Sequence, residues 1–162
     1  MLRLRAALAR EIGKPFDLAD IEMEDPRAGE IVVRVVAAGV CHTDIVVRDG
    51  VIPAPFPAVL GHEGAGVVER VGPGVRKVQP GDHVVMTFDA CGACPSCRDH
   101  ATTYCHNSFQ RNFGCVRTDG TSALSQAGSR VNGHFFGQSS FATHAICGEM
   151  NVIPVPKDVP LE

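Results

Sequence analysis

The sequence contains no tryptophan and one tyrosine. A chain so poor in large aromatics offers no stacking surface for nucleic-acid bases. Charge is also scarce. Charged residues make up 20% of the chain and the formal net charge is −3, which indicates neither a basic nucleic-acid face nor a disordered charged tail. No apolar run approaches the about 20 residues that a membrane helix needs. The opening segment, Met1–Arg10, carries arginines between short apolar stretches, too interrupted for a secretory core, and reads as a first β-strand. These absences exclude nucleic acid and membrane as partners and make the cytoplasm the expected location.

Glycine, proline and cysteine, by contrast, are plentiful, at 17, 11 and 7 residues. Glycines and prolines between valine-rich runs favour a β-rich domain with many turns, and 162 residues suit one domain with its own core. Four of the seven cysteines cluster as Cys91, Cys94, Cys97 and Cys105. Thiolates at this spacing can close a tetrahedral shell around Zn²⁺ with no position left for water, a structural site whose metal binding contributes directly to local folding. Free thiols or disulfides are the alternative. His100 and His106 flank the cluster as competing ligands.

Along the chain, Asp25–Glu30 reads as a turn and Ile31–Val36 as a buried strand with apolar residues on both faces. Cys41–Arg48 reads as a short helix at that strand's end. Val51–Pro57 is too proline-rich for regular structure and is expected to be an ordered loop. Ala65–Val71 and His83–Met86 read as strands. Residues 89–134 have little periodicity, about 45 residues of irregular chain that need support of their own; a metal in the cysteine cluster would supply it. Phe141–Ile146 and Asn151–Val155 are the last strands. Lys157–Glu162 reads as a helix start, with Asp158 as N-cap and Pro160 in the first turn.

The stretch that organises the rest is Gly61-His62-Glu63-Gly64-Ala65-Gly66 and its continuation to Val75. A glycine before His62 permits a tight turn that presents the imidazole at a strand entrance. Alone, such a histidine is more often structural than a ligand. Cys41-His42-Thr43-Asp44 upstream and the cysteine cluster downstream change that reading. Together, GHExxGxxxxxGxxV (Gly61, His62, Glu63, Gly66, Gly72, Val75), CHTD and CxxCxxCx7C resemble the catalytic domain of the zinc-containing medium-chain alcohol dehydrogenases. The likeness runs from about Met1 to Glu162. CHTD, the wording of Phe135–Ala145 and the closing Asp158–Glu162 look like the aryl-alcohol (benzyl-alcohol) branch.

The resemblance implies a mainly β, GroES-like, partly open barrel (residues 1–156) with a structural zinc lobe (89–134) and a few short helices. Residues 157–162 would lead to a nucleotide-binding Rossmann domain absent from this chain, which has no GxGxxG after a strand. It implies that Cys41 and His62 are two protein ligands of a catalytic zinc, the third being a cysteine beyond Glu162, and that Cys91, Cys94, Cys97 and Cys105 hold a structural zinc. Asp44 would hold the ligand histidine in one tautomer, or act as a helix first-turn acid. Glu63 would approach the zinc during ligand exchange, or directly ligate it here. Thr43 would take the alcohol proton, His42 would face the coenzyme pyrophosphate, and Phe88 would line an aromatic substrate pocket, with Val47, Pro55 and Phe56 as weaker candidates. An aliphatic residue near Val46 stands where some relatives end the proton relay in histidine. Cys147 reads as a buried strand residue; Cys115 has no assigned role. The implied activity is oxidation of a primary, aromatic alcohol to the aldehyde with hydride transfer to NAD, by a homodimer or homotetramer of the full-length protein. The fragment alone would be inactive. Another zinc dehydrogenase of the superfamily (glutathione-dependent formaldehyde or polyol) and a non-catalytic zinc module are the competing readings.

Overall fold

The computed structural model describes residues 1–162. Ten strands form two five-stranded sheets. In the first, β4 (Ala58–Val59), β1 (Leu2–Ala9), β2 (Asp17–Met23), β7 (Leu124–Gln126) and β8 (Ser129–Val131) lie in that order. In the second the order is β10 (Val152–Val155), β6 (His83–Met86), β5 (Glu63–Val71), β3 (Glu30–Gly39), β9 (His144–Gly148). All strand pairings within both sheets are antiparallel. No doubly wound parallel sheet is present, so the chain has no Rossmann crevice.

The core follows from strand alternation. Along β1, Leu4, Ala6 and Leu8 are buried while Arg3 and Arg5 point to solvent, the period-2 pattern of a half-buried strand. β3 is central, paired with β5 on one side and β9 on the other, and buries Ile31, Val32 and Val33 in succession. Val32 joins Leu4, Leu8, Ile21, Val59 and Ile146 in the core between the sheets, whereas Ile31 and Val33 join Val68, Val84 and Val152 in a second cluster. Each buried Leu, Ile or Val side chain contributes about 1.5–3 kcal/mol relative to exposure. Cys147 sits fully buried in the second cluster. Cys115 is a core residue of a third cluster with Ala9, Val47, Leu60 and Phe135, where burial pushes its thiol up to about 12.

Outside the sheets, α1 (His42–Arg48) begins at Cys41, and the Val51–Pro57 loop is irregular as expected. Residues 89–113 carry α2 (Pro95–Arg98), a 3₁₀ turn at Thr102–Tyr104 and α3 (Ser108–Phe113). The irregular stretch expected over 89–134 is therefore shorter. β7 and β8 within it form a hairpin that extends the first sheet beyond β2, turning through Ala127 and Gly128, both at positive φ. Arg117 anchors the return. Its buried guanidinium donates to Glu30 (2.7 Å) and Glu24 (2.7 Å), tying the excursion to the turn before β3. Two further expectations are corrected. β9 starts at His144 rather than Phe141, because Phe141 N–H and Thr143 N–H are engaged by Leu60 and Arg5 carbonyls. Lys157 and Asp158 form a turn, not a helix start: Val159 N–H closes on Pro156 C=O (3.1 Å), and Pro160 has no N–H to continue a helix.

Candidate metal and catalytic site

β3 ends at Gly39 and the chain turns directly into α1. Cys41 is the N-cap: its Sγ accepts from Thr43 N–H (3.5 Å), while the Asp44 carboxylate accepts from Cys41 N–H (3.1 Å). This reciprocal cap fixes a cysteine where a hydroxyl residue is usual. Thr43 Oγ1 also lies 3.5 Å from Cys41 Sγ, and the Thr43 hydroxyl and amide hold the Cys41 thiol below its ordinary pKa.

Asp44 is fully buried. Besides the Cys41 amide, it accepts from Gly61 N–H (2.9 Å) and meets His62 Nδ1 (3.3 Å). Burial opposes charge on His62, but Asp44 and Cys41 together outweigh it and raise the imidazole pKa above its ordinary value. Engaging Nδ1 directs the Nε2 lone pair away from Asp44, the arrangement of a metal-ligating histidine. Gly61 has φ +89°, and a side chain there would run into Phe141. The turn that presents His62 therefore requires glycine, as the sequence suggests.

Cys41, His62 and Glu63 bring their donor atoms within 4.8 Å of one another. Glu63 reaches the group by lying over Gly39, its cross-strand partner. A Cβ on Gly39 would overlap the Glu63 carboxylate. Soft sulfur, imidazole nitrogen and carboxylate oxygen at this separation fit a zinc-type ion. His42 is exposed on the first turn of α1.

The second group is Cys91, Cys94, Cys97 and Cys105, again with donor atoms within 4.8 Å. Cys91 Sγ and Cys97 Sγ are 3.9 Å apart, close to the edge of about 3.8 Å that follows from Zn–S bonds of about 2.3 Å in a tetrahedron. Ala93 and Cys94 amides point at Cys91 Sγ (3.5 and 3.3 Å) and draw its thiol down to about 5; such donors favour thiolate. The four sulfurs fit a closed metal shell. His100 and His106 are exposed and outside the group, His106 facing Ser96 Oγ (3.2 Å).

A cavity of about 430 Å³ opens beside His62 and Glu63, walled by Val85, Met86, Thr87, Phe88 and Phe136. Phe88 also packs against the cysteine cluster. Phe136 is a wall residue that the sequence did not single out. It stacks on His62 with centroids 4.4 Å apart and planes at 22°, while Phe135 meets the same ring edge-on at 5.6 Å. Val47 belongs instead to the third core cluster, Phe56 packs half-buried against it, and Pro55 is exposed. Gln138, also unremarked, bonds the backbone on both sides of Glu63.

The model of the alcohol dehydrogenase GroES-like domain matches residues 27–157, covering both groups of donors. The chain belongs to this family, as the GroES-like domain of a zinc-type medium-chain alcohol dehydrogenase. Among relatives of the GroES-like family, geraniol dehydrogenase of Castellaniella defragrans is 46% identical over 98% of this chain and 42% of its own length. The class-3 alcohol dehydrogenase of Cereibacter sphaeroides is 41% identical over 99% of this chain and 43% of its own. In crystal structures, benzyl alcohol dehydrogenase from Acinetobacter calcoaceticus superposes with TM-score 0.94 at 45% identity, over 99% of this chain and 43% of that one. An alcohol dehydrogenase zinc-binding domain protein from Burkholderia ambifaria reaches 0.97 at 52%, over 99% and 44%. The chain thus spans less than half the length of these relatives. The mainly β GroES-like expectation holds, and no helix is long and apolar enough to cross a membrane.

Proposed function

We propose that this chain is the zinc-binding catalytic half of an NAD-dependent dehydrogenase that oxidises aromatic primary alcohols to aldehydes. The single observation that carries the reading is the Cys41–His62–Glu63 donor group, whose His62 and Glu63 line a cavity walled by Phe88 and Phe136. Cys41 and His62 hold a zinc ion there, and Cys91, Cys94, Cys97 and Cys105 hold a second, structural one. Bound at the first group, zinc lowers the pKa of an alcohol hydroxyl towards neutrality.

The chain's own residues do the rest. Asp44 keeps a proton on His62 Nδ1, so that Nε2 remains a lone-pair donor. Thr43 Oγ1, beside Cys41 Sγ, accepts the alcohol proton while passing its own hydroxyl proton on to solvent. Exposed His42 meets the pyrophosphate of NAD, whose own binding domain lies outside this chain. Phe88, Met86 and Phe136 orient a flat apolar substrate and exclude water from the reacting face. The whole protein works in the cytoplasm as a homodimer or homotetramer, and the 162-residue chain alone oxidises no alcohol.

Substrate profiling of the whole protein tests the reading. A kcat/KM for benzyl alcohol at least ten-fold above ethanol is expected, with NAD as acceptor. Equal values for the two alcohols overturn the aromatic assignment. A preference for geraniol, the substrate named for one relative, moves it to allylic alcohols, and a preference for S-(hydroxymethyl)glutathione to the formaldehyde-linked enzymes.

A further inference from the structure

The backbone from Leu60 to Gly64 is gripped by the segment Gln138–Phe141. Phe141 N–H donates to Leu60 C=O (3.0 Å) and Ser140 N–H to Gly61 C=O (2.9 Å). At the next positions the Gln138 side chain takes over from backbone. Its Nε2 donates to His62 C=O (2.9 Å) and Thr87 C=O (3.3 Å), and its Oε1 accepts from Gly64 N–H (3.1 Å). Reversing the carboxamide would set NH₂ against an N–H and oxygen against two carbonyls, so its surroundings allow one orientation. Gln138 is 1% exposed, and its partners lie 51, 74 and 76 residues away in sequence.

The segment that supplies it is strained. His134, Phe136 and Ser139 all have positive φ (61°, 50° and 55°), as does Gly137 (69°). A non-glycine residue there is strained and persists where the surroundings over-determine it. Ser139 Oγ supplies part of that determination, donating to Val59 C=O (2.7 Å) and accepting from Phe135 N–H (2.9 Å). The result of the strained turn is specific. It delivers Phe135 and Phe136 to the His62 ring and Gln138 to the His62 carbonyl.

We propose that Gln138 is a positioning residue for the Cys41–His62–Glu63 metal group, setting where the imidazole and the carboxylate stand by holding the backbone on both sides of Glu63. The proposal rests on the reading of those three residues as a metal site. Asp44 secures the chain before His62, through Gly61 N–H, and the ring through Nδ1; Gln138 secures the chain after it. Without Gln138, the Gly64 N–H and the His62 carbonyl lose its bonds, while Thr87 C=O keeps its bond from Asn151 Nδ2 (3.2 Å), and the ligand segment is free to shift. Loss of such supporting contacts weakens metal binding about 10–100-fold.

The test is a Co²⁺ titration of the 162-residue chain, followed by visible absorption, on wild type, Gln138→Met and Gln138→Glu. Bands of the tetrathiolate lobe serve as internal reference, and hydrogen exchange at the Gly64 amide is read in parallel. Gln138→Met keeps the side-chain volume and deletes all three bonds. It is expected to weaken Co²⁺ binding at the Cys41–His62 group ten-fold or more, alter its ligand-field bands and speed Gly64 exchange, with lobe binding unchanged. Gln138→Glu keeps the acceptor for Gly64 and loses both donors, so Gly64 stays protected while Co²⁺ affinity falls. Wild-type affinity and bands in either folded variant overturn the proposal. So does failure of both variants to fold, which makes Gln138 a packing residue. A wild-type chain that loads the lobe alone overturns instead the metal-site reading beneath it, a result visible before any variant is made.

Discussion

Asp44 and His62 are 18 residues apart in sequence and 3.3 Å apart at Oδ1 and Nδ1. The same fully buried carboxylate also collects the Cys41 and Gly61 amides, so both metal-facing residues are referenced to one group. Asp44→Asn keeps the shape but replaces one acceptor oxygen with NH₂, which repels at least one of the three donors. Metal retention at Cys41 and His62 is expected to fall about 10–100-fold. Competition with a chelator checks this, lobe metal being unaffected.

Gly39 and Glu63 face each other across β3 and β5, and the carboxylate occupies the space where a Cβ would be. Gly39→Ala is expected to push Glu63 off the metal group and change the Co²⁺ spectrum there. In a Glu63→Ala background the same substitution is expected to do less, since the carboxylate clash is gone and only a close contact with the Cβ at position 63 (3.1 Å) remains. This non-additivity, of about 0.5–3 kcal/mol for contacting residues, is measured by a double-mutant cycle on metal affinity. Strict additivity would sink the account.

The cysteine lobe has a core of three buried residues, Ala90, Cys97 and Cys105, too small to hold residues 89–113 together without a metal. Cys94→Ala is expected to remove one metal per chain by elemental analysis and to expose that segment to protease. The sheets, with their own clusters, stay folded. Loss of both metals at once, or none, contradicts two independent sites.

His134 is buried, and burial pushes its pKa down to about 4. The unfolded chain titrates near 6.5, so in the window between about 6.5 and 4 the unfolded state binds the extra proton. Stability from neutral His134 is present above the unfolded pKa and falls as pH drops towards the folded one, by at most about 1.4 kcal/mol per pH unit. Thermal melts between pH 7 and 5 on wild type and His134→Gln check it: the variant is expected to show the shallower slope, thiolate protonation being common to both.

What could be read in advance was local. Cys41 to Arg48, the Gly61–His62 turn and the four-cysteine spacing declare themselves within a few residues, and each has the geometry its spacing demands. The hairpin at Leu124–Val131 was illegible because its strands are three residues long and its turn is Ala127-Gly128 rather than the Asn-Gly or Asp-Gly that signals such turns. Gln138 and Phe136 were illegible for a different reason. Their roles arise from contacts some 74–76 residues away and from backbone at positive φ that no propensity favours. Gly39 looks like any glycine at a strand end until Glu63 is seen lying over it.

Phe88 touches two things at once: the small core of the cysteine lobe and the wall of the cavity beside His62. Oxidation or stripping of those thiols is therefore not a local injury. It reaches, through a single ring, the wall of the cavity beside His62.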